Sequence, residues 1–311
     1  MKALLLALTL LAASAQAQTL STYRLATATP GGGFQVFGNA LAEAVAATNT
    51  NVRIAPQATA GSAENFGLLL ERKVELALIQ GDAAYQAFAE RPEVARDLAV
   101  LWVTYPGPGA FMVKADSPYR TIADLKGKRI AWGTRATGLR LLARDVMQGI
   151  GLDTEKDFVS IILERAADGP KLVLNGEADA LWGGGIGWPG FETLANSPGG
   201  ARFIAPSTED IASIRRAKLA LRAMEIPAGS YKGQTEAVKS VGLWSVIMVR
   251  RDTPDAEVTK LVTALRGAET ELAKRLPQAA FATAANTLRE ADAARLHPAV
   301  KPLLERLTIT K

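Results

Sequence analysis

The sequence predicts an α/β protein of two lobes, each a mostly parallel sheet flanked by helices, with a ligand cleft between them. Three observations predict it. Strand and helix patterns alternate along the chain, the scheme restarts in the second half, and small-residue loops follow several of the strands. With 311 residues, 48% apolar and 22% charged, the chain can bury a core in each lobe.

Taken in order, Met1-Lys2, an apolar run over 3–13 and an Ala-x-Ala site ending at Ala17 read as a secretory signal, too short to span a bilayer. Cleavage after Ala17 gives a mature, soluble periplasmic chain from Gln18, in which no further run has the length and apolarity of a membrane helix. A strand over 23–28 leads through a Gly-rich turn to a helix from about Phe34, with Phe37, Leu41 and Val45 on one face. A strand over 52–55 follows, then a helix opened by Gly61-Ser-Ala-Glu-Asn65 with Ser62 as N-cap. Strands over 74–79 and 98–103 complete a βαβ series.

The second half repeats the plan, with strands over 128–132, 158–163, 179–182 and 202–205 and a helix over 139–148. An internal echo joins the halves. Leu68-Leu-Leu-Glu-Arg-Lys-Val-Glu-Leu-Ala-Leu78 resembles Leu172-Val-Leu-Asn-Gly-Glu-Ala-Asp-Ala-Leu-Trp182, with Glu75 aligned on Asp179. Lobes of similar build would produce this, and so would chance in pieces this short. Segments 109–115 and 242–250 are candidate crossover strands. Beyond the second, Thr253 is the expected N-cap and Pro254 the first residue of a long helix with Val258, Leu261, Val262, Leu265 and Leu272 as its stripe. The expected organisation is one lobe of 18–113 with 250–311 and a second of 114–243.

Several chemistries lack their residues. There is no cysteine, and the one histidine, His297, reads as a surface turn residue before Pro298, so neither a metal site nor a Ser-His-Asp triad is expected. Gly31-Gly-Gly-Phe-Gln-Val-Phe-Gly38 misses the dinucleotide spacing because Val36 takes the third glycine's place. No phosphate loop, no Gly-x-Ser-x-Gly elbow and no glycosidase-like carboxylate pair is seen. Without the signal, 35 basic and 31 acidic residues leave a net charge of +4, too mild and too evenly spread for a nucleic-acid partner. No cofactor, no catalytic residue and a monomer are expected.

What the sequence does carry is a set of loops at the carboxyl ends of strands, each opening a helix: Pro30 to Phe34, Thr59 to Ser62, Gln80 to Asp82 and Gly133 to Gly138. Ligands of open α/β sheets bind there, where helix N-termini offer unpaired N–H groups and glycine admits a close approach. The loop at 133–138 suits a carboxylate, with Arg135 as counter-charge; in the plainer reading Thr137 only caps the helix and Arg135 faces water. In Trp182-Gly-Gly-Gly-Ile-Gly-Trp-Pro189, Trp182 suits the core, and Trp188 is either a wall of the cleft or a packed residue shielded from solvent. Tyr85 and Tyr231 are further hydroxyl candidates.

The ordered series resembles the solute-binding proteins of TRAP transporters, of the TAXI type, over nearly the whole mature chain. Gly31-Gly-Gly-Phe34 resembles that family's first ligand loop, and Ala58-Thr-Ala-Gly-Ser-Ala-Glu-Asn65 its Gly-Ser-x-x-Asn segment. Residues 74–85, ending Gln80-Gly-Asp-Ala-Ala-Tyr85, resemble its next strand and loop. Asp124-Leu-Lys-Gly-Lys-Arg129 before Gly133, then Gly187-Trp-Pro189 and Ile226-Pro-Ala-Gly-Ser-Tyr231, complete the set. The resemblance implies a type II periplasmic-binding fold that closes on a small organic anion and delivers it to an ion-driven permease. An amino acid, a 2-oxoacid or a dicarboxylate is the implied ligand. It would be held by Gly32, Gly33, Phe34, Gly61, Ser62, Asn65, Gln80, Asp82, Tyr85, Arg135, Ala136, Thr137, Gly138, Gly187, Trp188 and Tyr231. Two departures stand out: Ala136-Thr137-Gly138, preceded by Arg135, where the family commonly has Gly-Ser-Gly, and Trp188 where smaller residues are frequent. An exported enzyme with a base among Glu64, Asp82 or Glu164, or a sensor module for a membrane receptor, are the alternatives.

Overall fold

The computed structural model describes residues 20–48 and 50–309; the expected signal at 1–17 lies outside them. The chain opens with β1 (Ser21–Ala26), α1 (Gly33–Ala46), β2 (Val52–Gln57), α2 (Ser62–Leu70) and β3 (Leu76–Ile79). Helices α3 (Gly81–Glu90) and α4 (Pro92–Asp97) lead to β4 (Leu98–Pro106), buried along its whole length. Next come β5 (Gly109–Lys114), β6 (Arg129–Thr134), α5 (Gly138–Gly149), β7 (Val159–Leu163), α6 (Gly169–Leu174) and β8 (Ala180–Gly184). After α7 (Pro189–Ala195), β9 (Ala201–Ile204) and α8 (Thr208–Ala217), an antiparallel ribbon forms from β10 (Arg222–Ile226) and β11 (Val238–Gly242). Strand β12 (Trp244–Arg250) and helices α9 (Asp255–Arg275), α10 (Ala284–Glu290) and α11 (Val300–Ile309) close the chain.

The two large sheets are built alike. One runs β2-β1-β3-β12-β4 and the other β7-β6-β8-β5-β9. In each, the first three strands are parallel and the fourth is antiparallel to both its neighbours. The sheets are therefore mixed, half their pairings antiparallel. The cause lies in the crossings: β5 follows β4 and β12 follows β11 through short links without a helix, so neither strand is delivered by the helical crossover that makes a pair parallel. The chain leaves the first sheet after Pro106 and rejoins it at Trp244.

The echo is structural. Leu25 pairs with Leu76 in the first sheet as Ile130 pairs with Ala180 in the second. One residue earlier, Glu75 accepts the backbone N–H and guanidinium of Arg24 at 2.8 and 3.0 Å. Asp179 does the same for Arg129 at 2.9 and 3.0 Å. The turns before them match as well, with Arg72 and Gly176 both at positive φ.

One apolar core lies in the first lobe, around Phe37, Leu78 and Trp102; two lie in the second, around Trp132 and Trp182 and around Phe191 and Tyr231. Trp182 is fully buried, its indole N–H donating to the Leu139 carbonyl at 2.9 Å.

Three local expectations are corrected. His297 is not a surface residue: it is 2% exposed, with Nε2 against the Thr253 carbonyl and its backbone N–H on Val100. The cap of α2 is Gly61, and the Ser62 hydroxyl instead accepts the Gln80 N–H at 3.1 Å. Helix α9 begins one residue late, because Pro254 is extended at ψ 140 and itself occupies the cap.

Candidate functional site

The four small-residue loops meet where the lobes face each other. Around one cavity stand Thr29, Gly32, Gly33 and Phe34 after β1, Ala60 after β2, Gln80 after β3, Gly133 and Thr134 at the end of β6 and Thr137 beyond it. Trp188, Leu163, Ala166 and Tyr105 help to enclose it. The free volume is about 60 Å³. This is room for about four to six waters at 10–15 Å³ each.

Among the described residues no carboxylate, cationic side chain or histidine lines this cavity. Positive potential comes from the backbone. Helices α1 and α5 both begin here; Gln35 and Arg140 donate to the cap carbonyls of Gly32 and Thr137, and the N–H groups ahead of them have no intrahelical acceptor. Thr137 caps α5 by accepting the Leu139 N–H at 3.4 Å, while its side chain still lines the cavity. The Tyr105 hydroxyl comes within 3.5 Å of where a Gly33 Cβ would sit. It makes no hydrogen bond among the described residues, and burial raises its pKa.

The glycines of these loops serve contact between the lobes as much as approach of a ligand. A Cβ on Gly138 would fall 2.6 Å from the Gln80 Cβ, and one on Gly31 2.6 Å from the Ala167 Cβ. Gly61 lies against Ala136, whose carbonyl accepts the Ala63 N–H across the cleft at 3.4 Å. On the opposite side the Ala166 N–H reaches Thr29 Oγ1 at 3.4 Å. The lobes are thus in contact on both flanks of the cavity.

Of the sequence-expected ligand residues, Gly32, Gly33, Phe34, Gln80, Thr137 and Trp188 line the cavity. Trp188 is 5% exposed, with its ring against Gly33 and Phe191. Gly61, Ala136 and Gly138 form the contacts beside it. Ser62, Asn65 and Tyr231 hold the loops in place. Asn65 Nδ2 donates to the carbonyls of Thr27 and Leu78 at 2.9 and 2.8 Å. The Tyr231 hydroxyl donates to Gly185 and accepts the Trp188 N–H, both at 2.9 Å.

The remaining four lie elsewhere. Arg135 is exposed and lines a neighbouring groove. Tyr85 is 56% exposed beside Leu219 and Trp244, and Gly187 lies near Pro277. Asp82 is buried, with both carboxylate oxygens unpartnered among the described residues. Burial pushes its pKa up to about 7, and the charge of Asp145 on α5 adds to this. The N–H groups of Asp82 and Ala83 at the start of α3, and Gln80, oppose the shift without reaching hydrogen-bond geometry. Sequence reasoning missed Tyr105, Thr29, Leu163 and Ala166; the signal for Tyr105 was its place at the end of an apolar strand, before Pro106-Gly107-Pro108-Gly109.

The sequence profile of the NMT1-like family matches residues 25–304. Among solved structures, the periplasmic binding protein BugD is similar with a TM-score of 0.58 at 14% identity, over 92% of this chain and 94% of that one. The periplasmic aliphatic sulphonate binding protein SsuA from Escherichia coli gives 0.52 at 18%, over 93% and 91%. A TctC solute binding protein from Polaromonas gives 0.51 at 20%, over 92% and 98%. At such identities the likeness is one of fold, the two-lobed α/β architecture of periplasmic binding proteins.

Proposed function

This chain belongs to the NMT1-like family, and from that premise we propose that it is an extracytoplasmic solute-binding protein that closes its two lobes on a short organic acid. The observation that carries this reading is the cavity between the lobes: uncharged side chains, two helix N-termini and hydroxyls, with no carboxylate, lysine, arginine or histidine among the described residues. Glu64, one of the bases an enzyme would need, is exposed and accepts the Ala60 N–H at 2.6 Å. A carboxylate is the charge that such helix ends favour.

Size and lining narrow the class. About 60 Å³ suits an acid of two to four carbons. No carboxylate stands ready to pair with an ammonium, and no cation with a second carboxylate. A monocarboxylate with a neutral remainder, such as a short 2-oxo- or 2-hydroxy acid, therefore fits better than glutamate or a dicarboxylate. Export through the segment 1–17 and delivery to a membrane permease belong to the same proposal. The finer reading, a TRAP-type ion-driven permease, is supported by the ordered TAXI-like segments in the sequence.

The test is a thermal-shift panel on protein stripped of ligand by unfolding and refolding. Glycolate, lactate, pyruvate, glutamate, succinate, short sulfonates and neutral sugars would be compared. A bound acid at 100 times its dissociation constant adds about 2.7 kcal/mol, a rise of a few degrees. A rise with short monocarboxylates supports the proposal; rises with sugars alone, or with no acid, would overturn it.

A further inference from the structure

The strongest feature the cavity leaves unexplained is a larger groove on its outer flank. It holds about 500 Å³, within the range of small-molecule sites, against about 60 Å³ inside. Phe66, Ala83 and Ala87 on α2 and α3 form its first-lobe wall; Arg135 and the outward face of α5 form the other. The contact of Gly61 with Ala136 and Thr137 lies between groove and cavity, and Thr137 lines both.

The groove is cationic above an apolar base. Arg140 is paired with Glu155 at 3.1 Å, and Glu90 accepts from Gln86. Arg144 has its nearest carboxylate, Asp145, 3.8 Å away, and Asp145 is already held by Lys218 at 2.9 Å. Arg135 has no carboxylate partner among the described residues. Trp132 also lines the groove; it is 1% exposed, and its indole N–H is buried with no acceptor among the described residues. A buried donor left unmade costs about 1–3 kcal/mol, so this one marks a place for an acceptor.

We propose that this groove is a second binding site, spanning both lobes, for an organic polyanion with a flat apolar body. Arg135 and Arg144 meet its carboxylates, and the half-buried Ala83 and Leu141, one on each wall, cover its body. Because both lobes contribute, occupancy favours the closed arrangement and strengthens retention of the inner ligand by linkage.

Trimesate (benzene-1,3,5-tricarboxylate) is the probe, titrated calorimetrically into refolded protein. The expected result is one trimesate site, weakened at least tenfold in Arg135→Ala/Arg144→Ala, kept in the presence of pyruvate, and blind to neutral benzamide. Should the double variant fail a circular dichroism check, Arg135→Gln alone is titrated, with several-fold weakening expected. No heat with trimesate to 10 mM (roughly 3 kcal/mol of affinity at most), unchanged binding in the variants, or displacement by pyruvate would each overturn the proposal. The trimesate titration needs no inner ligand, so a failure of the short-acid reading leaves its outcome readable.

Discussion

Gly138 of the second lobe lies so close to Gln80 of the first that a Cβ on the glycine would fall 2.6 Å from the Gln80 Cβ. Both residues stand at helix starts beside the inner cavity, so the distance between them reports closure. The contact that hardly admits a methyl group is the one that must open and reform as ligand enters and leaves.

Gly138→Ala should therefore hold the lobes apart. The expected outcome is at least a tenfold rise in the dissociation constant of the inner ligand, about 1.4 kcal/mol, with little change in melting temperature of the empty protein. Small-angle scattering should show a larger radius of gyration with ligand than wild type shows. Gly67→Ala is the control: nothing lies within 4 Å of its Cβ, so affinity should be unchanged while α2 gains up to about 1 kcal/mol.

Tyr105→Phe removes the hydroxyl of a residue that lines the cavity, one without a hydrogen-bond partner among the described residues. Ligand affinity should fall by about fivefold, or roughly 1 kcal/mol, while the stability of the empty protein hardly changes. Calorimetric titration and thermal melting of the same variant check the two halves.

Tyr231→Phe acts through the loop instead. It leaves the Gly185 carbonyl and the Trp188 N–H without their buried partner. A loss of about 1–3 kcal/mol of stability is expected in denaturant unfolding, together with weaker binding because Trp188 loses its anchor.

Asp82 predicts a pH dependence. Its carboxyl is pushed up to about 7 by burial, against 3.8 for the free group. A raised acid binds its proton more tightly when folded, so its stabilising contribution is complete below about pH 4. That contribution is lost as pH rises through 7. The gap corresponds to at most about 4 kcal/mol. Asp82→Asn should flatten this slope and be more stable than wild type at pH 8, measured by urea unfolding between pH 4 and 8.

How much of this was legible in sequence depends on the kind of interaction. Period-two and period-four apolar patterns placed strands and helices near their true ends, and the aligned Glu75 and Asp179 led to a shared salt-bridged turn in both lobes. Strand polarity was not legible, since nothing local to 109–114 or 244–250 says which way a neighbour runs. The loops at 30–34, 59–62, 80–82 and 133–138 were found from glycine and position alone. Their glycines, however, read the same whether a ligand or an opposing lobe fills the missing side chain. Tyr105 and His297 escaped because their roles are set by residues far away in the chain, Gly33 for one and Thr253 for the other.

The most direct test of the account is a calorimetric series of straight-chain 2-oxoacids from two to six carbons, with pyruvamide as the uncharged counterpart of pyruvate. An uncharged cavity of about 60 Å³ backed by two helix N-termini predicts 1:1 binding that is strongest at two to four carbons and absent for the amide. Affinity that climbs steadily to six carbons, or an amide that binds as well as the acid, would contradict it.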